Sequence, residues 1–175
     1  MPDGRTGLTQ DRARERERMV RRQISARGIR DPHVLAAMRS VPREIFLPDH
    51  LQEFAYEDTP LPIDEDQTIS QPYIVALMTA ALELSSDDRV LEIGTGSGYA
   101  AAVLARIARQ GVTIERHDSL ARSAQQRYET HGYDNIEVIE ADGTLGWEPG
   151  APYDAIVTTA GGPTVPSRLK DQLAI

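Results

Sequence analysis

Apolar residues recur at two different spacings along this 175-residue chain, and the change falls near residue 85. Up to about residue 84 the spacing is helical and is interrupted by Pro-rich connections. Beyond it, short apolar runs alternate with amphipathic stretches of helical period. In the first part, Thr9 is the expected N-cap of a helix reaching about Arg27, with Gly28 as its stop. Asp31 followed by Pro32 reads as a cap and a first helical position, and Val34, Leu35 and Met38 then mark an apolar stripe over His33–Arg39. A connection carrying Pro42, Pro48, Pro60 and Pro62 is expected to be extended or turned. Ser70 is the expected cap of a further helix, with Pro72 in its first turn and Ile74, Val75, Leu77, Met78, Ala81 and Leu82 along it.

The second part predicts strands at Arg89–Ile93, Val112–Glu115, Ile136–Ile139 and Tyr153–Thr158. Between them lie predicted helices over Tyr99–Arg109 and Ser119–His131, the latter stopped by Gly132, and a last helix spans Pro166–Leu173. Strands separated by single helices join by right-handed crossovers into a parallel sheet. The expected fold is therefore doubly wound α/β with a helical N-terminal cap. Residues 1–84 form the cap and residues 85–175 the α/β core of one integrated domain. In such a sheet a ligand sits beyond the carboxyl ends of the strands.

Charge adds a contrast. Residues 1–43 hold eleven Arg against five acids, whereas the remainder holds eight basic residues against 22 acids. The basic stretch alternates signs between Arg12 and Arg18, as a solvated helix face does, so no nucleic-acid partner is expected. No apolar run approaches membrane-spanning length, so no membrane partner is expected. The chain has no Cys, and its four His share no ligand spacing, so no metal site is expected. The absence of Cys suits a reducing, cytoplasmic location.

Candidate chemistry gathers after the first predicted strand of the core. Gly94, Gly96 and Gly98 interrupt Glu92-Ile93-Gly94-Thr95-Gly96-Ser97-Gly98 at i, i+2 and i+4, which is not the GxGxxG dinucleotide spacing. Glycines there let the backbone turn tightly against a ligand. A carboxylate just ahead of the loop, Glu92, suits a cationic amino-acid ligand and repels a pyrophosphate. That favours S-adenosyl-L-methionine over NAD, with S-adenosyl-L-homocysteine as the product. Glu115 ends the second strand, where an acid can accept both ribose hydroxyls, and Asp142-Gly143 follows the third, within reach of an adenine edge. Glu92, Gly94, Thr95, Gly96, Ser97, Gly98, Glu115, Asp142 and Gly143 are the cofactor-binding candidates.

The run Val90-Leu91-Glu92-Ile93-Gly94-Thr95-Gly96-Ser97-Gly98-Tyr99 resembles the first motif of the protein-L-isoaspartate O-methyltransferases. Gln67-Thr68-Ile69-Ser70-Gln71-Pro72-Tyr73 is similar to a second segment, one that general methyltransferases lack. Val41-Pro42-Arg43-Glu44-Ile45-Phe46, Ala55-Tyr56-Glu57-Asp58 and Ala151-Pro152-Tyr153-Asp154-Ala155-Ile156 extend the likeness over roughly residues 16 to 174. The resemblance implies a Rossmann-like methyltransferase sheet. It implies methyl transfer from S-adenosylmethionine to the α-carboxylate of L-isoaspartyl residues in damaged proteins. It makes Ser70 the active-site residue at that carboxylate, lined by Thr68, Ile69 and Gln71, beside its reading as a plain helix cap. The alternative left open is a domain of this fold that binds the cofactor but is inactive, or acts on another carboxylate.

Two departures from the family shape further expectations. Asp64-Glu65-Asp66 stands where the family has a glycine-containing loop, and the three acids are expected to face water. Only four core strands are predicted, and the family's later strands are missing. The edge of the fourth strand is therefore expected to be exposed, or covered by a further domain or a second chain.

Overall fold

The computed structural model describes residues 4–162 and 164–174. Helices α1 (Gly4–Met19), α2 (Pro32–Ser40) and α3 (Pro72–Ala81) precede the core, with a hairpin of β1 (Leu61–Pro62) and β2 (Thr68–Ile69) between the last two. The core runs β3 (Arg89–Ile93), α4 (Tyr99–Leu104), β4 (Gln110–Glu115), α5 (Asp118–His131), β5 (Ile136–Glu140), β6 (Ala155–Thr158) and α6 (Ser167–Lys170).

The four core strands form one parallel sheet in the order β5-β4-β3-β6, the expected doubly wound α/β arrangement. The chain moves outward from β3 through β4 to β5, then returns to the other side of β3. Strand order thus reverses at β3, and the carboxyl end of that strand is where an α/β sheet opens a crevice. Strand residues alternate between faces. Leu91, Ile93, Val112 and Ile114 join Tyr153 and Leu169 on one side. Val90 turns to the larger core shared with the helical cap. Apolar residues on both faces suit strands covered on both sides. On the cap side, Phe46 packs edge-on against Tyr99 and Tyr133, with ring centroids 5.7 and 6.4 Å apart. Tyr133 meets Tyr128 in the same way, so α4, α5 and the cap share one aromatic cluster.

Asp31 caps α2 as expected, accepting from the His33 and Val34 N–H groups at 2.8 and 3.1 Å. Several boundaries differ from expectation. The first helix starts at Gly4 rather than at Thr9, and after Met19 it widens into a π-type turn over Val20–Ile24 and a 3-10 turn over Ser25–Arg27 before Gly28 stops it. The Pro-rich connection contains two 3-10 turns, Arg43–Phe46 and Asp49–Phe54, as well as β1. Helix α4 ends at Leu104 instead of Arg109, and the final helix is one turn, Ser167–Lys170. Ser70 does not cap α3. Pro72 occupies the first helical position, so the cap position falls to Gln71, which makes no side-chain capping bond.

β6 is an edge strand, paired only with β3 among the described residues, as the exposed-edge expectation has it. At its start the chain's own C-terminal residues lie alongside: the Tyr153 N–H donates to the Gln172 carbonyl and the Ala174 N–H to the Tyr153 carbonyl, both at 2.8 Å. The Tyr153 backbone donor and acceptor are thereby satisfied, while Ala155–Thr158 keep an outer edge with no paired strand among the described residues. Among the described residues no helix is long and apolar enough to cross a membrane.

Candidate active site

A cleft of about 810 Å³ opens at the carboxyl ends of β3 and β4. Its walls are the loop after β3, the residues after β4, β5 and β6, and the segment Gln67–Ser70. A two-residue period places Glu92 of β3 and Thr113 and Glu115 of β4 on one face of the sheet, because Glu92 pairs in register with Thr113. These polar groups are buried beneath the glycine loop.

Glu115 organises the loop. One carboxylate oxygen accepts from the Gly96 N–H at 2.8 Å, and the other accepts from the N–H groups of Arg116 and His117 at 2.9 and 3.0 Å. Lone pairs on both oxygens thus already hold the protein's own backbone, and Glu115 also lines the cleft. Thr113 donates from its hydroxyl to Glu92 Oε2 at 2.6 Å and lies 2.7 Å from the Thr95 hydroxyl. The other Glu92 oxygen, Oε1, is buried without a partner among the described residues. Burial pushes the Glu92 carboxyl up to about 8, the Thr113 hydrogen bond opposes this, and the nearby Glu115 charge adds to it.

The glycine loop needs its glycines for different reasons. Gly98 has φ +90°, and a Cβ there would meet the Tyr128 hydroxyl at 2.6 Å. That hydroxyl donates to the Gly98 carbonyl at 2.8 Å and locks the loop to α5. Gly98→Ala combines backbone strain with overpacking and is expected to destabilise the protein by about 2–4 kcal/mol, read as a lower urea midpoint. A midpoint equal to the parent's would show that the loop and Tyr128 can part freely. Ser97 accepts the Tyr99 N–H at 3.3 Å. Gly94 is tied to the far wall, since the Thr159 hydroxyl donates to its carbonyl at 2.6 Å.

Asp142 and Gly143 both line the cleft. Asp142 accepts from the Thr144 N–H and hydroxyl at 2.9 and 2.8 Å, and these bonds hold its carboxyl below the usual range. Gly143 answers a packing need, because a Cβ there would lie 2.4 Å from Ile93 Cγ2.

From the cap side, Thr68, Ile69 and Ser70 reach the same cleft, whereas Gln71 does not line it. Ile69 is buried and pairs with Leu61, and Thr68 pairs with Pro62. The Ser70 carbonyl accepts from Arg43 at 3.1 Å, while its hydroxyl makes no hydrogen bond among the described residues and is free for a ligand. The acidic turn does not only face water. Glu65 and Asp66 adopt left-handed backbone, φ 58° and 54°, the conformation a glycine would supply. The Glu65 carboxylate accepts from the Ser119 hydroxyl and lies 3.7 Å from His117 Nδ1, which fastens the turn to the start of α5.

Sequence reasoning missed Thr113, Arg116, His117 and Thr159. Counting by twos back from Glu115 would have found Thr113. The reversal of strand order at β3 would have flagged the residues after β6. Among the described residues no cluster of three or more His, Asp or Glu is spaced to hold a metal ion.

The Protein-L-isoaspartate(D-aspartate) O-methyltransferase (PCMT) family model matches residues 14–175. The Protein-L-isoaspartate O-methyltransferase 2 of Pelobacter propionicus is 66% identical over 160 residues, which are 91% of this chain and 71% of that protein. The Protein-L-isoaspartate O-methyltransferase 1 of Rhodopseudomonas palustris strain HaA2 is 62% identical over 93% of this chain and 66% of its own length. Among solved structures, a protein-L-isoaspartate O-methyltransferase superposes with a TM-score of 0.83 at 33% identity, covering 91% of this chain and 52% of that one. A Plasmodium falciparum protein described as a putative enzyme of this type, solved with S-adenosyl-L-homocysteine, shares the fold with a TM-score of 0.78 at 24% identity, over 91% of this chain and 79% of its own. The present chain thus spans between about half and four-fifths of the proteins it matches here. By sequence over nearly its whole length and by fold, the chain belongs to the S-adenosylmethionine-dependent protein-L-isoaspartate(D-aspartate) O-methyltransferase family.

Proposed function

We propose that this chain methylates the α-carboxylate of L-isoaspartyl residues in damaged proteins, in the cytoplasm, with S-adenosylmethionine as donor. The observation that carries the reading is that the Ser70 segment and the glycine loop line one cleft. The buried groups fit such a donor: Glu92 Oε1 lacks a partner among the described residues, as a carboxylate meant for a cationic ligand would. Glu92, Glu115, Asp142, Gly143 and the loop from Gly94 to Gly98 are the residues that would hold it. Bound there, the cofactor supplies an already activated methyl group on a sulfonium.

The chain's own residues then have little chemistry to perform. A main-chain α-carboxyl has a pKa of about 3.3–3.7, so at neutral pH the acceptor is an ionised nucleophile and no general base is required. The free Ser70 hydroxyl can donate to one carboxylate oxygen and aim the other along the line of transfer. Thr68 and Ile69 shape the wall beside it. The cleft aligns the reactants, and alignment alone is worth roughly 7–11 kcal/mol.

The test uses labelled S-adenosylmethionine and two peptides that differ only in one L-isoaspartyl versus normal aspartyl linkage. Base-labile label is expected in the isoaspartyl peptide alone. Label in both peptides, or in neither, would reject the reading.

A further inference from the structure

The motif Val41-Pro42-Arg43 contributes nothing to the cofactor cleft directly, yet it places a charge where the fold has no use for one. Arg43 is fully buried, at 0% exposure. Its Nη1 donates to the Ala55 carbonyl at 2.5 Å, and its Nη2 donates to the carbonyls of Ser70 and Thr59 at 3.1 and 3.3 Å. Nε is buried without a partner, and no carboxylate forms an ion pair with the guanidinium among the described residues. On its other side lies the Tyr99 ring, 5.8 Å from the guanidinium carbon, and Tyr99 lines the cleft. Arg43 therefore bridges the acceptor wall at Ser70 and the cofactor wall at Tyr99.

Three neutral carbonyls could be held by a neutral donor. Burying a cation with no ion-paired carboxylate to hold them is costly, even with the Asp58 charge near enough to favour it. Burial does lower its proton affinity, but a guanidinium stays charged in proteins. A fixed cation one peptide behind Ser70, in a low-dielectric setting, lowers the energy of an anion brought to that serine.

We propose that Arg43 is a positioning residue for the anionic acceptor, fixing the Ser70 peptide through its carbonyl and supplying the positive charge that the substrate carboxylate meets. This rests on the isoaspartyl reading above. The experiment compares Arg43→Gln, which keeps donors but loses charge, with Arg43→Lys, which keeps charge but loses the planar fork. S-adenosylhomocysteine affinity by calorimetry reports an intact fold and cofactor wall, and methylation of the isoaspartyl peptide gives KM and kcat.

For Arg43→Gln, KM should rise by roughly 10-fold or more while kcat and S-adenosylhomocysteine affinity stay within about 3-fold, and Arg43→Lys should recover most of the KM loss. An unchanged KM in Arg43→Gln, or equal losses in both variants, would overturn the charge role. So would loss of S-adenosylhomocysteine binding in Arg43→Lys, which would mark the residue as a staple of the fold. If the unaltered protein methylates neither peptide, the isoaspartyl reading itself fails, and this inference with it.

Discussion

Glu115→Ala is expected to weaken S-adenosylhomocysteine binding by roughly 100-fold or more, because one carboxylate holds three separate backbone donors at the cofactor wall. The Gly96 N–H fixes the loop after β3, and the Arg116 and His117 N–H groups fix the turn out of β4. Removing the acceptor leaves three part-buried donors to find other partners, at up to about 1–3 kcal/mol each. Any lone pair that Glu115 offers to a ribose hydroxyl disappears as well. Glu115→Gln separates the two effects. Its amide oxygen can retain the Arg116 and His117 bonds, but its amide nitrogen would face the Gly96 N–H, so the loop should loosen while the turn holds. Calorimetric titration should therefore rank affinity as parent, then Glu115→Gln, then Glu115→Ala. An alanine variant that binds within about 3-fold of the parent would remove Glu115 from the cofactor wall.

The sheet was legible because its strands are covered on both faces. Apolar residues fall on both faces of β3, Val90 on one and Leu91 and Ile93 on the other, with Glu92 and Thr113 the polar exceptions in Val90–Ile93 and Val112–Ile114, and strands buried on two sides read that way. Asp31 was legible because a cap acts within two or three residues of itself. The hairpin of β1 and β2 was not, since strands of two residues carry no period. Ser70 misled for a local reason: a proline is so well suited to the first helical turn that the helix begins at Pro72, leaving Ser70 one residue too early to cap. That error matters for function, because a capping hydroxyl is occupied and this one has no partner among the described residues.

The site divides along the same line. The glycine loop, Glu92 and Glu115 are close in sequence to strand ends, so a pattern finds them. Thr113, Thr159 and Arg43 act through partners 21, 65 and 27 residues away, at Glu92, Gly94 and Ser70. Their roles exist only once the sheet is wound. The acidic turn shows a third limit. Left-handed backbone at Glu65 and Asp66 replaces the expected glycine, and the strain is shared with contacts to Ser119 and His117 that composition could not foretell.

Glu92→Gln should give the largest change in how stability responds to pH. Burial, first of all, pushes the Glu92 carboxyl from an ordinary 4.5 up to about 8, and its Oε1 has no partner among the described residues. The folded protein keeps the proton at pH values where the unfolded chain has released it. Folding therefore takes up a proton between about 4.5 and 8, and stability falls as pH rises through that window. The parent should lose on the order of a few kcal/mol across it, while the neutral glutamine, which cannot ionise, avoids this loss. Melting curves without cofactor should coincide near pH 5 and diverge toward pH 9, with the variant higher by roughly 5–10 °C. Cofactor should reverse the ranking, since a cationic ligand beside Glu92 favours the carboxylate. Its binding then expels the proton, so calorimetry at pH 7 in buffers of different ionisation enthalpy should register proton release for the parent and none for Glu92→Gln. Stability curves that run parallel from pH 5 to 9, together with equal proton release, would mean that Glu92 is already ionised in the fold and that its lone oxygen is not waiting for a cation.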